Sequence, residues 1–112
     1  MNAPTISPIS EFILKVNKVK KNLLSLEELT WTDVLVICTI QQLELENQSI
    51  TTAQVIEELK MNKCWVYRSV RRLESKGFIL SSTRPKEPSL LFVSNWGKIL
   101  LQRVGEAIIL NS

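Results

Sequence analysis

The sequence contains no histidine, which removes the commonest general acid–base and the commonest metal ligand together. Its two cysteines, Cys38 and Cys64, stand far apart in dissimilar contexts. They are too few for a structural zinc site and give no disulfide framework. The three glycines, Gly77, Gly97 and Gly105, are isolated, so no glycine-rich phosphate loop is present. No apolar run approaches the ~20 residues of a membrane span. The first apolar residues are broken by Pro4, Pro8, Glu11 and Lys15, unlike a secretory signal. Together these absences predict a cytoplasmic protein with no catalytic residues, no cofactor and no metal.

The 112 residues are enough for one domain, and the 45 % apolar content is that of a folded chain. The net charge of +3 favours anionic partners only mildly, so its distribution decides more than its sum. Residues 1–7 hold two prolines and small polar groups and read as a loose arm. From Ile9 an amphipathic helix is expected to about Leu24, with Phe12, Ile13, Val16, Val19 and Leu23 on one stripe and Ser7 or Ser10 as cap. Thr30 or Thr32 caps a second helix reaching about Leu45, apolar on nearly all sides and therefore expected at the centre of the domain. A strand is the competing reading of that β-branched run, and its length favours the helix. Cys38, inside it, is expected to be inert packing.

Asn47, Gln48 and Ser49 form a loop, after which Thr51 and Gln54 have the spacing of a capping box opening a short third helix through Lys60. Asn62 offers the next cap, and a fourth helix runs to Lys76 and exits at Gly77. The period then shortens. Residues 78–80 and 90–93 read as two strands, joined by a segment whose prolines stay out of the ladder. Ser94 or Asn95 caps a last helix to about Leu110. The expected fold is mainly α with a small β-hairpin, a winged helix-turn-helix of about five helices and a two- to three-stranded wing. It occupies residues 8–112, with 51–93 as helix-turn-helix and wing.

Function is concentrated in the fourth helix. Val66, Val70 and Leu73 supply a stripe to bury, while Lys63, Tyr67, Arg68, Arg71 and Arg72 lie elsewhere on the helix. Five cations, Lys63, Arg68, Arg71, Arg72 and Lys76, against Glu74 give this helix +4 in a chain of +3. In a helix-turn-helix the second helix enters the major groove, and its early residues reach base edges. Thr51, Thr52, Gln54, Asn62, Lys63, Cys64, Trp65, Tyr67, Arg68, Arg71 and Arg72 are therefore the candidate DNA contacts. Arg68 is the candidate for bidentate contact with guanine. Thr51, Thr52 and Gln54 mark a helix start whose N–H groups would meet a phosphate. Cys64, in a first turn beside Lys63, also has the setting of a redox-responsive thiol. Trp65 stays open between a base contact, a core anchor and a pocket wall. The bland alternative is a basic face that only keeps the helix soluble.

The stretch 52–77, TAQVIEELKMNKCWVYRSVRRLESKG, followed by Phe78 and Ile79, resembles the MarR/SarA family of bacterial winged-helix regulators. The likeness extends more weakly from Leu29 to Val104. It implies that the wing, residues 83–89, meets the minor groove through Arg84 and Lys86, and that terminal helices pair two subunits. The wing here has Arg84-Pro85-Lys86-Glu87-Pro88 in place of the family's Asp-x-Arg-like run. The region after it holds one helix, so an effector cleft is not expected.

Helices 8–29 and 95–110 are the expected dimerisation elements. Phe12, Ile13, Val16, Ile99, Leu100, Val104, Ile108 and Ile109 would leave an apolar patch on a monomer; the alternative is that the two helices cover each other. A two-fold dimer spaces two recognition helices roughly 34 Å apart and predicts an inverted-repeat operator. The leading reading is a homodimeric transcription regulator of double-stranded DNA. The alternatives are a plasmid-partition or replication DNA-binding protein, and a winged helix that binds protein.

Overall fold

The structure, a computed structural model, describes residues 7–46, 49–82 and 88–109. The arm before residue 7, Asn47, Gln48, the wing positions Arg84 and Lys86, and Leu110 lie outside the described residues. Five α-helices and one antiparallel hairpin follow in the order α1 (Pro8–Val19), α2 (Trp31–Leu45), α3 (Thr52–Leu59), α4 (Lys63–Ser75), β1 (Ile79–Ser82), β2 (Leu90–Val93) and α5 (Asn95–Ile109). This is the expected mostly helical fold with a two-stranded wing.

Local chemistry sets the boundaries. Ser7 caps α1, its hydroxyl accepting from the Ser10 amide at 3.1 Å, with Pro8 in the first turn where a missing N–H costs nothing. The same helical rod continues past Val19 as a π-helical turn, Lys20–Leu24, rather than as α-helix throughout. Capping boxes open α2, with Thr30 and Asp33, and α3, with Thr51 and Gln54. Asn62 caps α4 by accepting from the amides of Cys64 and Trp65 at 2.8 and 3.4 Å. Gly77, at φ 80°, supplies the left-handed exit from α4.

The core lies between α2, α4, the hairpin and α5. Val36, Ile37, Ile40, Leu73 and Ile79 are fully buried there. Gly97 lets α5 approach the hairpin: a Cβ at this position would meet the Phe78 carbonyl oxygen, and would stand 2.9 Å from both Ile37 Cδ1 and Val93 Cγ1. Ser94 ties the corner, donating to the Gly77 carbonyl at 2.6 Å and accepting from the Gly97 amide at 3.0 Å.

The hairpin pairs Ile79 with Val93 and Ser82 with Leu90. The other edge of β2 has partners too. The Leu91 amide donates to the Ile50 carbonyl at 2.8 Å, and the Val93 amide donates to Glu44 Oε1 at 2.7 Å. A single carbonyl and one carboxylate thus take the place of a third strand, so no N–H of this edge is left bare where it meets the body.

Two expectations are corrected. The second helix is not enclosed on all sides: Cys38 and Leu45 are exposed on its outer face. Cys38 is therefore surface rather than interior packing, although neighbouring side chains desolvate its sulfur and push the thiol pKa up. The apolar residues of the terminal helices also divide. Leu100 and Val104 are buried within the chain, whereas Phe12, Ile13, Ile99 and Ile109 stay exposed.

Candidate nucleic-acid interface

The two helices of the helix-turn-helix are joined by Lys60, Met61 and Asn62, with Lys60 in the left-handed conformation at φ 53° and ψ 39°. Its amide closes α3 on the Ile56 carbonyl at 2.8 Å. A non-glycine residue there carries backbone strain, which is tolerated because the flanking helices fix the turn.

On α4, Val66, Ser69, Val70 and Leu73 are buried. At about 100° per residue, the opposite side of the helix centres on Cys64, Arg68, Arg71 and Ser75. All four are exposed. Lys63 and Tyr67 flank this stripe on one side, Trp65 and Arg72 on the other. Lys63, Arg68 and Arg71 are not among the ion pairs recorded for the described residues. Trp65 is 58 % exposed and so is not a core anchor. It borders a surface hollow of ≈ 150 Å³ with Thr30, Thr32, Arg68 and Arg72.

Arg72 has a different situation from its neighbours. Its Nη1 donates to both oxygens of Asp33, at 2.8 and 3.0 Å. Asp33 is fully buried, and it also accepts from the Ser69 hydroxyl and, at 2.8 Å, from the Thr30 amide. The carboxylate that closes the capping box of α2 therefore also fixes α4, and its remaining lone pairs meet donors. Arg72 is first a bond between α2 and α4, with its outer edge on the hollow.

The other candidates fall into two groups. Thr51 and Gln54 are engaged in the capping box of α3, Thr52 is half-buried in its first turn, and Asn62 is engaged in the cap of α4. Lys63, Cys64, Trp65, Tyr67, Arg68 and Arg71 form one continuous exposed face. Sequence reasoning missed Thr30, Thr32, Lys60 and Ser75 on or beside this surface. It also missed the Asp33–Ser69–Arg72 link. A lone Asp in an apolar helix and a Ser inside the buried stripe mark two residues that need polar partners, but the sequence does not say that they are each other's.

Among the described residues no three His, Cys, Asp or Glu side chains gather to hold a metal, and no helix is long and apolar enough to cross a membrane. A hollow of ≈ 40 Å³ lined by Glu27, Phe78, Trp96, Ile99, Leu100 and Arg103 has room for only a few waters.

No family model matches the chain, and no curated protein does. Solved structures do. The apo form of wild-type MarR from E. coli matches with a TM-score of 0.64 and 21 % identity, covering 96 % of this chain and 81 % of that one. A cysteine-to-serine mutant of the same protein, complexed with operator DNA, matches at 0.63 and 22 % identity over 95 % and 77 % of the two chains. The reduced form of MarR gives 0.62 and 22 % over 94 % and 79 %. The chain therefore has a MarR-like winged-helix fold, and the resemblance read from the sequence is borne out at that level.

Proposed function

We propose that this chain is a sequence-specific regulator of transcription that binds double-stranded DNA as a homodimer. The observation that carries this reading is the outward face of α4, where Lys63, Arg68 and Arg71 stand exposed around Cys64 and Tyr67 on a helix whose opposite side is buried. Such a helix enters the major groove as a rigid unit, with Arg68 placed to bond guanine and Lys63 to meet a phosphate. Arg84 and Lys86, in the segment joining the two strands, are assigned to the minor groove and backbone by the family resemblance, and the hairpin they connect is held to the body through Ile50 and Glu44. The similar fold of MarR, solved with operator DNA, supports the same docking. Exposed Ile9, Phe12, Ile13, Ile99 and Ile109 on α1 and α5 support pairing of two copies. With no histidine and two cysteines placed apart, the chain is read as a binding protein rather than an enzyme.

The test is anisotropy titration of the full chain against fragments of neighbouring DNA at two salt concentrations. A fragment bound at about 10⁻⁸ M or tighter at physiological salt, protected over an inverted repeat, supports a specific regulator. Weak, uniform binding that disappears with salt reduces the surface to a general basic patch and points instead to a protein partner.

A further inference from the structure

Five residues from two helices wall the ≈ 150 Å³ hollow beside the outward face of α4: Thr30 and Thr32 at the start of α2, and Trp65, Arg68 and Arg72 from α4. Its polar groups face it as donors. Asp33, fully buried behind the hollow, accepts from Arg72 Nη1 through both oxygens and fixes the plane of the guanidinium. The hydrogens on Nε and Nη2 meet no acceptor among the described residues, on a side chain still 36 % exposed. The Thr30 hydroxyl accepts from the Asp33 amide at 3.3 Å and keeps its own hydrogen to give. The half-buried Thr32 hydroxyl has no hydrogen-bond partner among the described residues. Arg68 and Arg72 against Asp33 leave the hollow one net positive charge, and the exposed indole of Trp65 adds an apolar wall.

The position of the hollow on α4 identifies the anion that suits it. When Cys64, Arg68, Arg71 and Ser75 face the floor of the major groove, Trp65 and Arg72 look sideways. A helix about 10–12 Å across nearly fills a groove about 12 Å wide, so each flank lies against a sugar-phosphate backbone. On the Trp65 flank that backbone runs past the mouth of the hollow and the start of α2. A phosphodiester matches the lining in charge, in oxygens that only accept, and in a deoxyribose that can cover the indole. A free inorganic ion would leave the Trp65 ring bare.

We propose that the hollow seats one DNA backbone phosphate per copy of α4, held by the free edge of Arg72 and the hydroxyls of Thr30 and Thr32, with Trp65 against the adjoining sugar. This rests on the DNA-binding reading above and adds residues of α2 to it. Arg72 then works through two edges. One locks α4 to α2, and the other registers the locked pair on the duplex, which is what phosphate contacts do for a helix reading bases.

The test uses the full chain and the fragment bound most tightly in the titration above. Thr32→Asp places a carboxylate in the hollow. An acidic residue in the first turn suits the dipole of α2, so the urea midpoint should not fall. Affinity should fall at least about tenfold on specific and scrambled fragments alike, because a phosphate contact carries no sequence information. Unchanged affinity overturns the proposal. So does a loss confined to the specific fragment, which would trace to Arg68 and its base. Thr32→Val keeps the shape without the hydroxyl and should lose about threefold; no loss removes Thr32 from the contact and counts against the seat. Single methylphosphonates, each neutralising one phosphate, are then scanned along the fragment. One of them should cost the wild-type chain about tenfold and Thr32→Asp less than about threefold. Equal costs in the two chains at every position overturn the assignment. Inorganic phosphate should compete no better than chloride at equal ionic strength; stronger competition would make the hollow a site for a free anion and overturn it too. A wild-type chain that binds no fragment sinks the DNA reading as well. A wild-type chain that binds, with both Thr32 variants binding as tightly, sinks the phosphate seat alone.

Discussion

α2 and α4 are neighbours of similar length with opposite surfaces. α4 divides cleanly into a buried stripe and a charged outer face, so its own sequence says which side meets water. α2 is apolar almost all round, and the fold nonetheless leaves Cys38 and Leu45 uncovered. The comparison teaches that an amphipathic helix reports its orientation, while a uniformly apolar one reports only that every face is meant for contact with something. One chain need not supply all of those contacts. The two helices are joined at one polar point, Asp33 against Ser69 and Arg72, and that joint is where the comparison can be broken.

The largest effect is expected from Arg72→Ala. It leaves Asp33, which has no exposure to water, without its charge partner, and should cost about 3 kcal/mol in urea unfolding. Pairing Arg72→Met with Asp33→Leu removes both charges at once and should recover part of that loss, because Ser69 can turn its hydroxyl to its own helix while the Thr30 amide loses its capping acceptor. If the double variant is no more stable than Arg72→Ala alone, the joint is not an ion pair in the energetic sense. Arg72 would then act through packing of its methylenes.

Next comes the outward face. Arg68→Ala and Arg71→Ala should leave stability within about 0.5 kcal/mol, since both side chains are exposed. Each should weaken DNA binding, Arg68→Ala by about 1–3 kcal/mol with relaxed discrimination at one base pair. Arg71→Ala should weaken all sequences alike and flatten the salt dependence. A loss of stability in place of a loss of affinity would place these arginines with Arg72, as part of the body.

The contrast also explains how much the sequence disclosed. Helix starts were legible wherever a short polar side chain closes on a nearby amide, as at Ser7, Thr30, Thr51 and Asn62, because capping is local chemistry. The buried stripe of α4 was legible for the same reason: its period is written in consecutive residues. Long-range pairings were not. Asp33 finds Ser69 and Arg72 across more than thirty residues, and Glu44 finds the Val93 amide across nearly fifty. The basic side chain of Arg72 looked identical to that of Arg71 until the fold turned it by one helical step toward a carboxylate. Removing a local signal should cost correspondingly little: Asn62→Ala is expected to destabilise by about 1 kcal/mol, read from the urea midpoint, as α4 loses the acceptor for two of its first amides.

The smallest expected effect is the most discriminating, because its two components have opposite signs. Lys60 holds a left-handed backbone at the tip of the turn between α3 and α4, with its side chain exposed. That conformation costs a residue with a Cβ about 1–2 kcal/mol, and glycine avoids it. Glycine in turn gives the unfolded chain more freedom, worth about 0.5–1 kcal/mol. Lys60→Gly should therefore stabilise the fold by about 0.5 kcal/mol, measured as a small upward shift of the urea midpoint. If the Lys60 ammonium also meets a phosphate when α4 lies in the groove, the slope of log affinity against log salt should fall by about 1. Higher stability with a shallower slope would mean that the strained lysine serves DNA at the expense of the fold. Higher stability with an unchanged slope would restrict the DNA charge to α4, and would make the turn only a connection between a helix that reports its orientation and those that do not.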